Sequence, residues 1–269
     1  MRPNFLPRVW LLLAAILASQ AQASVFDRDD RITESADVHG ASAPIGMMWA
    51  DKLATGFLVS QCHVLSVQHV FEGAAPAIGR RAVFGALASD PHHWTASWGT
   101  VIAAGEVAGD PLDYDAARAA DWVLMRLDKC LGKKLGFVTL ATEPPALTRD
   151  LKSAGYPYDR RDRGGITVDP ACRIAGTRQR VWLNDCAALA GNSGSPIFSK
   201  IQQDGRTVLY VYAMQSAAHD SSTPVQFNPA RANVATPMAG IIPYIEDIIG
   251  RPHSKAAPDQ PVVIADLHP

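Results

Sequence analysis

The sequence predicts an all-β protein, folded as one large domain with two subcores. Three observations carry this expectation. Short apolar runs recur along the chain, bounded by Gly-, Pro- and Asp-rich turns such as Asp90-Pro91 and Gly109-Asp110-Pro111. Apolar positions near helical spacing are seen late, at 238–249, where a single C-terminal helix on the second subcore fits. Removing residues 1–23 from the 269 leaves 246, a length that suits one all-β domain of this kind.

Residues 1–23 read as an export signal. Arg2 and Arg8 supply the positive start, 9–18 the apolar run, and Ala21-Gln22-Ala23 a small-x-small cleavage site before Ser24. The apolar run is too short to span a bilayer comfortably, and no later segment is long and apolar enough. A secreted or periplasmic destination follows, with no membrane attachment after signal removal. Four cysteines, all beyond residue 23, fit an oxidising compartment. The formal net charge of −1 gives no electrostatic case for binding nucleic acid or an anionic membrane.

Residues 24–45 read as an N-terminal arm, in part a pro-segment. Strand pairs follow: 54–71 holds two apolar strands around a short polar turn and ends near His69, and 120–127 is an apolar strand with Asp121 at its start. Glu143-Pro144-Pro145-Ala146 is the expected link between the subcores. Beyond it come a strand at 152–157, a strand–turn–strand passage between Cys172 and Cys186, and a strand at 208–214. The Pro-rich stretch 251–269 reads as a loose tail.

The chemistry concentrates at 191–197, Gly-Asn-Ser-Gly-Ser-Pro-Ile. A serine between glycines, ahead of an apolar strand, suits a nucleophile presented on a tight turn. A serine hydroxyl needs a base within hydrogen-bond reach, and His69 is the expected base. Asp121 is the expected acid that holds the histidine tautomer, with Asp115 a rival six residues earlier. The amides of Gly191 and Ser193 are candidates to receive an acyl oxyanion.

These motifs together resemble the trypsin-like (chymotrypsin-fold) serine proteases, in particular the bacterial secreted type similar to the glutamyl endopeptidases. Gly56-Phe57-Leu58-Val59, Leu65-Ser66-Val67-Gln68-His69-Val70, 121–127 (Asp-Trp-Val-Leu-Met-Arg-Leu) and Asp185-Cys186 with 191–196 carry the resemblance, and Asp29-Asp30-Arg31 resembles the start of the mature chain. The order His, Asp, Ser is that of this family. The resemblance implies two six-stranded antiparallel β-barrels and a C-terminal helix within a domain at 24–250. Barrel one would cover about 45–142, barrel two about 147–240 and the helix about 240–249. It implies a secreted serine endopeptidase working through His69, Asp121 and Ser193, with Ala187, Gln215, Ser216 and Ala217 binding substrate. Protein or peptide substrates, no cofactor, no metal and a monomer are implied with it. Two other readings stay open: a protease-fold binding protein without catalysis, and an acyl hydrolase that prefers esters.

Four cysteines allow three pairings. Antiparallel strands ending at His69 and starting at Asp121 would bring Cys62 and Cys130 together at their far end. Cys172–Cys186 would then close the base of the 173–183 hairpin. Two departures from the family stand out. Gln68 replaces a small alanine before the histidine, and Asn192 replaces the aspartate that pairs with a new N-terminus in the animal enzymes. Ala187 stands near the acidic selector of trypsin, and the glutamate-specific histidine is missing near Gln215 and Ser216. Neither a basic nor an acidic preference is therefore implied.

Overall fold

A computed structural model of the chain describes residues 25–35, 37, 40–73, 77–86, 94–110, 112–143, 151–218 and 224–250. The signal at 1–23, the tail at 251–269 and the Pro144–Pro145–Ala146 part of the expected link lie outside the described residues. The first half contributes β1 (Ile32–Glu34), β2 (Ile45–Trp49), β3 (Leu53–Leu58), β4 (His63–Ser66), β5 (Arg81–Ala86), β6 (Thr95–Ala104), α1 (Tyr114–Ala119) and β7 (Val123–Leu127). Next come α2 (Gly132–Leu135), β8 (Thr139–Leu140), β9 (Leu151–Gly155), β10 (Ile166–Cys172), β11 (Ile174–Arg178) and β12 (Val181–Asn184). The chain finishes with β13 (Pro196–Gln203), β14 (Arg206–Ala217), β15 (Asn233–Pro237) and α3 (Ile242–Ile249).

Strands β2, β3, β4, β7, β6 and β5 close a six-stranded barrel, all neighbours antiparallel. Met48, Phe57, Leu65, Phe84, Leu124 and Met125 are fully buried within this half. Closure leaves no free strand edge, which is how an antiparallel sheet avoids pairing with other chains.

The second half is a nine-stranded sheet ordered β1-β10-β9-β13-β14-β15-β12-β11, with β8 parallel to β14. Strands β10 and β11 are one passage of chain, interrupted at Arg173, so the sheet's path returns to the strand it left. Six passages thereby encircle a core of Leu151, Ile197, Tyr212, Ala213 and Ala235. Two additions surround this ring. The N-terminal arm lays β1 on the edge of β10, and the chain leaving barrel one places β8 beside β14. Thr139 and Leu140, which follow the last strand of barrel one, pair with the second sheet.

The halves are not separate globules. Leu58, Leu65 and Leu124 of barrel one share a buried cluster with Tyr156, Val168, Phe198 and Met214 of the second sheet. The C-terminal helix also belongs to it, through Ile241, Ile242 and Ile245. Tyr244 reaches Trp122 of the first half with ring centroids 5.9 Å apart. The helix thus lies over the seam, because its apolar stripe finds partners on both sides. No helix among the described residues is long and apolar enough to cross a membrane.

Candidate active site

Strand β4 ends at Ser66, and the chain turns through Gln68 and His69. Asp121 shapes that turn. Its Oδ1 accepts the amides of both Gln68, at 3.0 Å, and His69, at 2.9 Å. Its Oδ2 lies 2.7 Å from His69 Nδ1 and accepts the Ser216 hydroxyl at 2.5 Å. Arg118 Nη1 stands 3.5 Å from the same oxygen. Burial acts to raise the pKa of this carboxyl, but His69, Ser216 and Arg118 outweigh it and hold it below the ordinary carboxylate range. An ionised carboxylate only accepts hydrogen bonds, so Nδ1 carries the ring hydrogen and Nε2 keeps its lone pair. That lone pair faces Ser193 Oγ at 3.0 Å. The rival acid, Asp115, is turned away and takes a two-pronged ion pair from Arg178, at 2.7 and 2.8 Å.

The serine turn depends on two glycines with left-handed backbones, Gly191 at φ 95° and Gly194 at φ 84°. A Cβ at Gly191 would strike the Tyr156 carbonyl, and one at Gly194 the Thr55 carbonyl. The turn is tied to barrel one by Thr55. Its N–H donates to the Ser193 carbonyl at 2.8 Å, and its Oγ1 donates to the Gly191 carbonyl at 2.8 Å. That Oγ1 also accepts the Tyr156 amide at 3.0 Å. Asn192 is buried and braces the turn from inside. Its Oδ1 accepts the Leu189 amide, and its Nδ2 donates to Ser195 Oγ, both at 3.2 Å. The turn thus holds its shape without a charged partner for Asn192. Among the described residues, the amides of Gly191 and Ser193 have no acceptor, so two donors stand open beside Ser193 Oγ.

The four residues expected to bind substrate meet different fates. Ala187 is buried, and its amide donates to Asp169 Oδ2 at 2.6 Å. Gln215 is buried and its amide group pairs reciprocally with Asn184, at 2.9 and 3.3 Å. Asn184 and Asn233 extend that network to the backbone of Cys186. Ser216 turns its hydroxyl to Asp121 rather than outward. Ala217 ends β14, half-buried opposite Val234. The sequence gives no sign of Asp169, Thr55, Asn184 or Arg118, since a lone Thr, Asn or Asp in a strand, or an Arg in a short helix, has no distinguishing pattern.

Two disulfides frame these parts. Cys62–Cys130 lies at the end of β4 and β7 away from His69 and Asp121. Cys172–Cys186 joins β10 to the segment leading into the serine turn. Among the described residues, no group of three or more His, Cys, Asp or Glu side chains is placed to hold a metal.

A closed six-stranded barrel, a second sheet and a C-terminal helix make a chymotrypsin fold, and His69, Asp121 and Ser193 come together within it. The family profile of the trypsin-like peptidase domain matches residues 54–208, more than half of the chain. The chain belongs to that family and is a serine endopeptidase acting on protein or peptide substrates. Three solved structures are similar to it. A Glu endopeptidase in complex with MPD has a TM-score of 0.62 at 16% identity, over 84% of this chain and 100% of that chain. Neuropsin, a serine protease expressed in the limbic system of mouse brain, has a TM-score of 0.56 at 13% identity, over 81% and 98%. The protease Anisep from Arthrobacter nicotinovorans has a TM-score of 0.56 at 14% identity, over 82% and 100%. Among curated proteins, a sequence search finds no match.

Proposed function

We propose that the chain is an exported endopeptidase that cuts peptide bonds through Ser193, His69 and Asp121. The observation that carries this reading is the unbroken run of short contacts, 2.7 Å from Asp121 to His69 and 3.0 Å from His69 to Ser193. Ser193 Oγ attacks the scissile carbonyl carbon while its proton passes to His69 Nε2. The carbonyl oxygen becomes an oxyanion received by the amides of Gly191 and Ser193. Collapse breaks the C–N bond, and His69 returns the proton to the leaving amine. A water molecule, deprotonated by His69, then frees the acid from the acyl-Ser193 ester. Asp121 stays ionised and stabilises the imidazolium throughout. An oxyanion donor of this kind is worth about 3 kcal/mol of barrier.

Export is supported by the signal-like residues 1–23 and by both disulfides. Ala187, Gln215, Ser216 and Ala217 would border the primary pocket, and Ala187 and Gln215 bring no charge to it. The test is labelling of the mature, oxidised protein by a fluorophosphonate, with Ser193→Ala alongside. Labelling of the parent alone is expected. Absence of labelling in both would overturn the assignment of the triad to Ser193, His69 and Asp121. Parallel peptide and ester substrates then separate an endopeptidase from an ester-preferring hydrolase.

A further inference from the structure

Arg118, three residues before Asp121 at the end of α1, differs from other arginines of the chain. Arg31, Arg160, Arg173 and Arg178 each hold a carboxylate at 2.8 Å or closer. Among the described residues, Arg118 makes one side-chain contact with an acceptor, to Asp121 Oδ2, at the 3.5 Å limit of a hydrogen bond. Among the described residues, its buried Nε has no hydrogen-bond partner. Asp121 already accepts four closer donors through its two oxygens, so its lone pairs are largely taken. The neighbouring acid, Asp115, is neutralised by Arg178. The guanidinium rests 5.2 Å from the centroid of the half-exposed Tyr114 ring. About a quarter of the side chain remains open to solvent, 28%. A cation with spare donors, held by an aromatic face and partly open, is the local chemistry of a carboxylate-binding subsite.

Its side of the triad is also determined. His69 Nε2 faces Ser193 and must serve the leaving amine. Nδ1, Asp121, Ser216 and Arg118 lie at the opposite edge of the ring. Ser216 is on β14, whose end at Ala217 offers an edge to an incoming strand. Arg118 stands beside that strand end, since its Nη1 and the Ser216 hydroxyl approach the same oxygen of Asp121.

We propose that Arg118 is a specificity-determining residue that binds an acidic side chain on a substrate residue preceding the scissile bond, outside the primary pocket. This rests on the triad reading above, so the test separates the two. Binding of a positional peptide library, Glu against Gln at each site, is measured on Ser193→Ala and on Ser193→Ala/Arg118→Gln, with no turnover needed. One position is expected to favour Glu by roughly tenfold in the first protein, the scale of a charge-assisted hydrogen bond, and to lose that preference in the second. Arg118→Lys should restore part of it, and added salt should weaken it. Equal affinity for Glu and Gln at every position, or a Glu preference that survives Arg118→Gln, overturns the proposal. In active enzyme the same substitution should lower the Glu-to-Gln ratio of kcat/KM. A uniform loss over all peptides would instead mark Arg118 as a support for Asp121 and defeat the subsite. Failure of fluorophosphonate labelling would strike the triad and leave the binding comparison standing.

Discussion

Asp121 shows how many tasks one buried side chain performs. It fixes the turn through two backbone amides and the ring of His69 through a third bond. Asp121→Asn keeps the shape but can present an N–H to His69, which forces the wrong tautomer. Activity is expected to fall by on the order of 10⁴, with the far-ultraviolet dichroism unchanged. Asp169 poses a different problem. It is buried with two backbone amides and, among the described residues, no cation, and burial raises its pKa to about 6. A carboxyl whose folded pKa lies above its unfolded value of 3.8 costs stability as pH rises between the two. Stability should fall from about pH 4 to about pH 6 and then level off, by at most about 3 kcal/mol. Asp169→Asn should flatten that slope, and unfolding curves across this window check it. A slope that survives the substitution would assign it to other groups.

The elements act through their junctions. Thr55, in the middle of β3, is fully buried and clasps the serine turn with its hydroxyl and its amide. Thr55→Val keeps the shape of the side chain but leaves the Tyr156 amide and the Gly191 carbonyl without their partner. A loss of about 1–3 kcal/mol is expected. Fluorophosphonate labelling should slow as well, because Gly191 carries one of the two open donors. The disulfides divide the work differently. Cys62–Cys130 closes a separation of 68 residues and Cys172–Cys186 one of 14. Chain entropy assigns about 4 kcal/mol to the longer loop and about 3 to the shorter. Serine replacement of the first pair should therefore lower Tm further. Replacement of the second should lower the labelling rate more for each degree of Tm, since it anchors the strand that leads to Ser193. The opposite ranking in both assays would contradict this division.

At the scale of the whole molecule, the N-terminal arm is part of the second sheet. β1 pairs with β10, and Phe26 bridges to Val225 beside an edge contact with the Phe227 ring. Arg31 is buried between Asp29 and Asp159, while Arg160 donates to Asp29 and to the Arg31 carbonyl. Asp29 and Asp159 are themselves exposed, and Arg160 still pairs with Asp29, so loss of Arg31 unpairs charges that water screens. Arg31→Met should destabilise by about 1 kcal/mol, and a chain starting at residue 36 should expose the β10 edge and self-associate in light scattering. A truncated chain that stays monomeric with unchanged Tm would show that the arm is dispensable.

Much of this was legible in the order of residues. Periodic apolar runs separated by turns report an all-β chain, because a strand must bury alternate side chains whatever its neighbours are. Gly191-Asn192-Ser193-Gly194 is legible because only glycine takes the backbone angles that present the serine. Cys62 and Cys130 are legible because strand geometry brings them to one end. The folded chain alone decided where each acid points, so that Asp121 meets His69 while Asp115, six residues earlier, meets Arg178. It decided that Gln215 pairs with Asn184, that Ser216 turns to Asp121, and that Thr55 clasps a turn 136 positions away. These contacts join residues distant in the chain, and their strength comes from burial that only packing creates. A motif specifies which atoms are present, and the closed sheets determine which of them can touch.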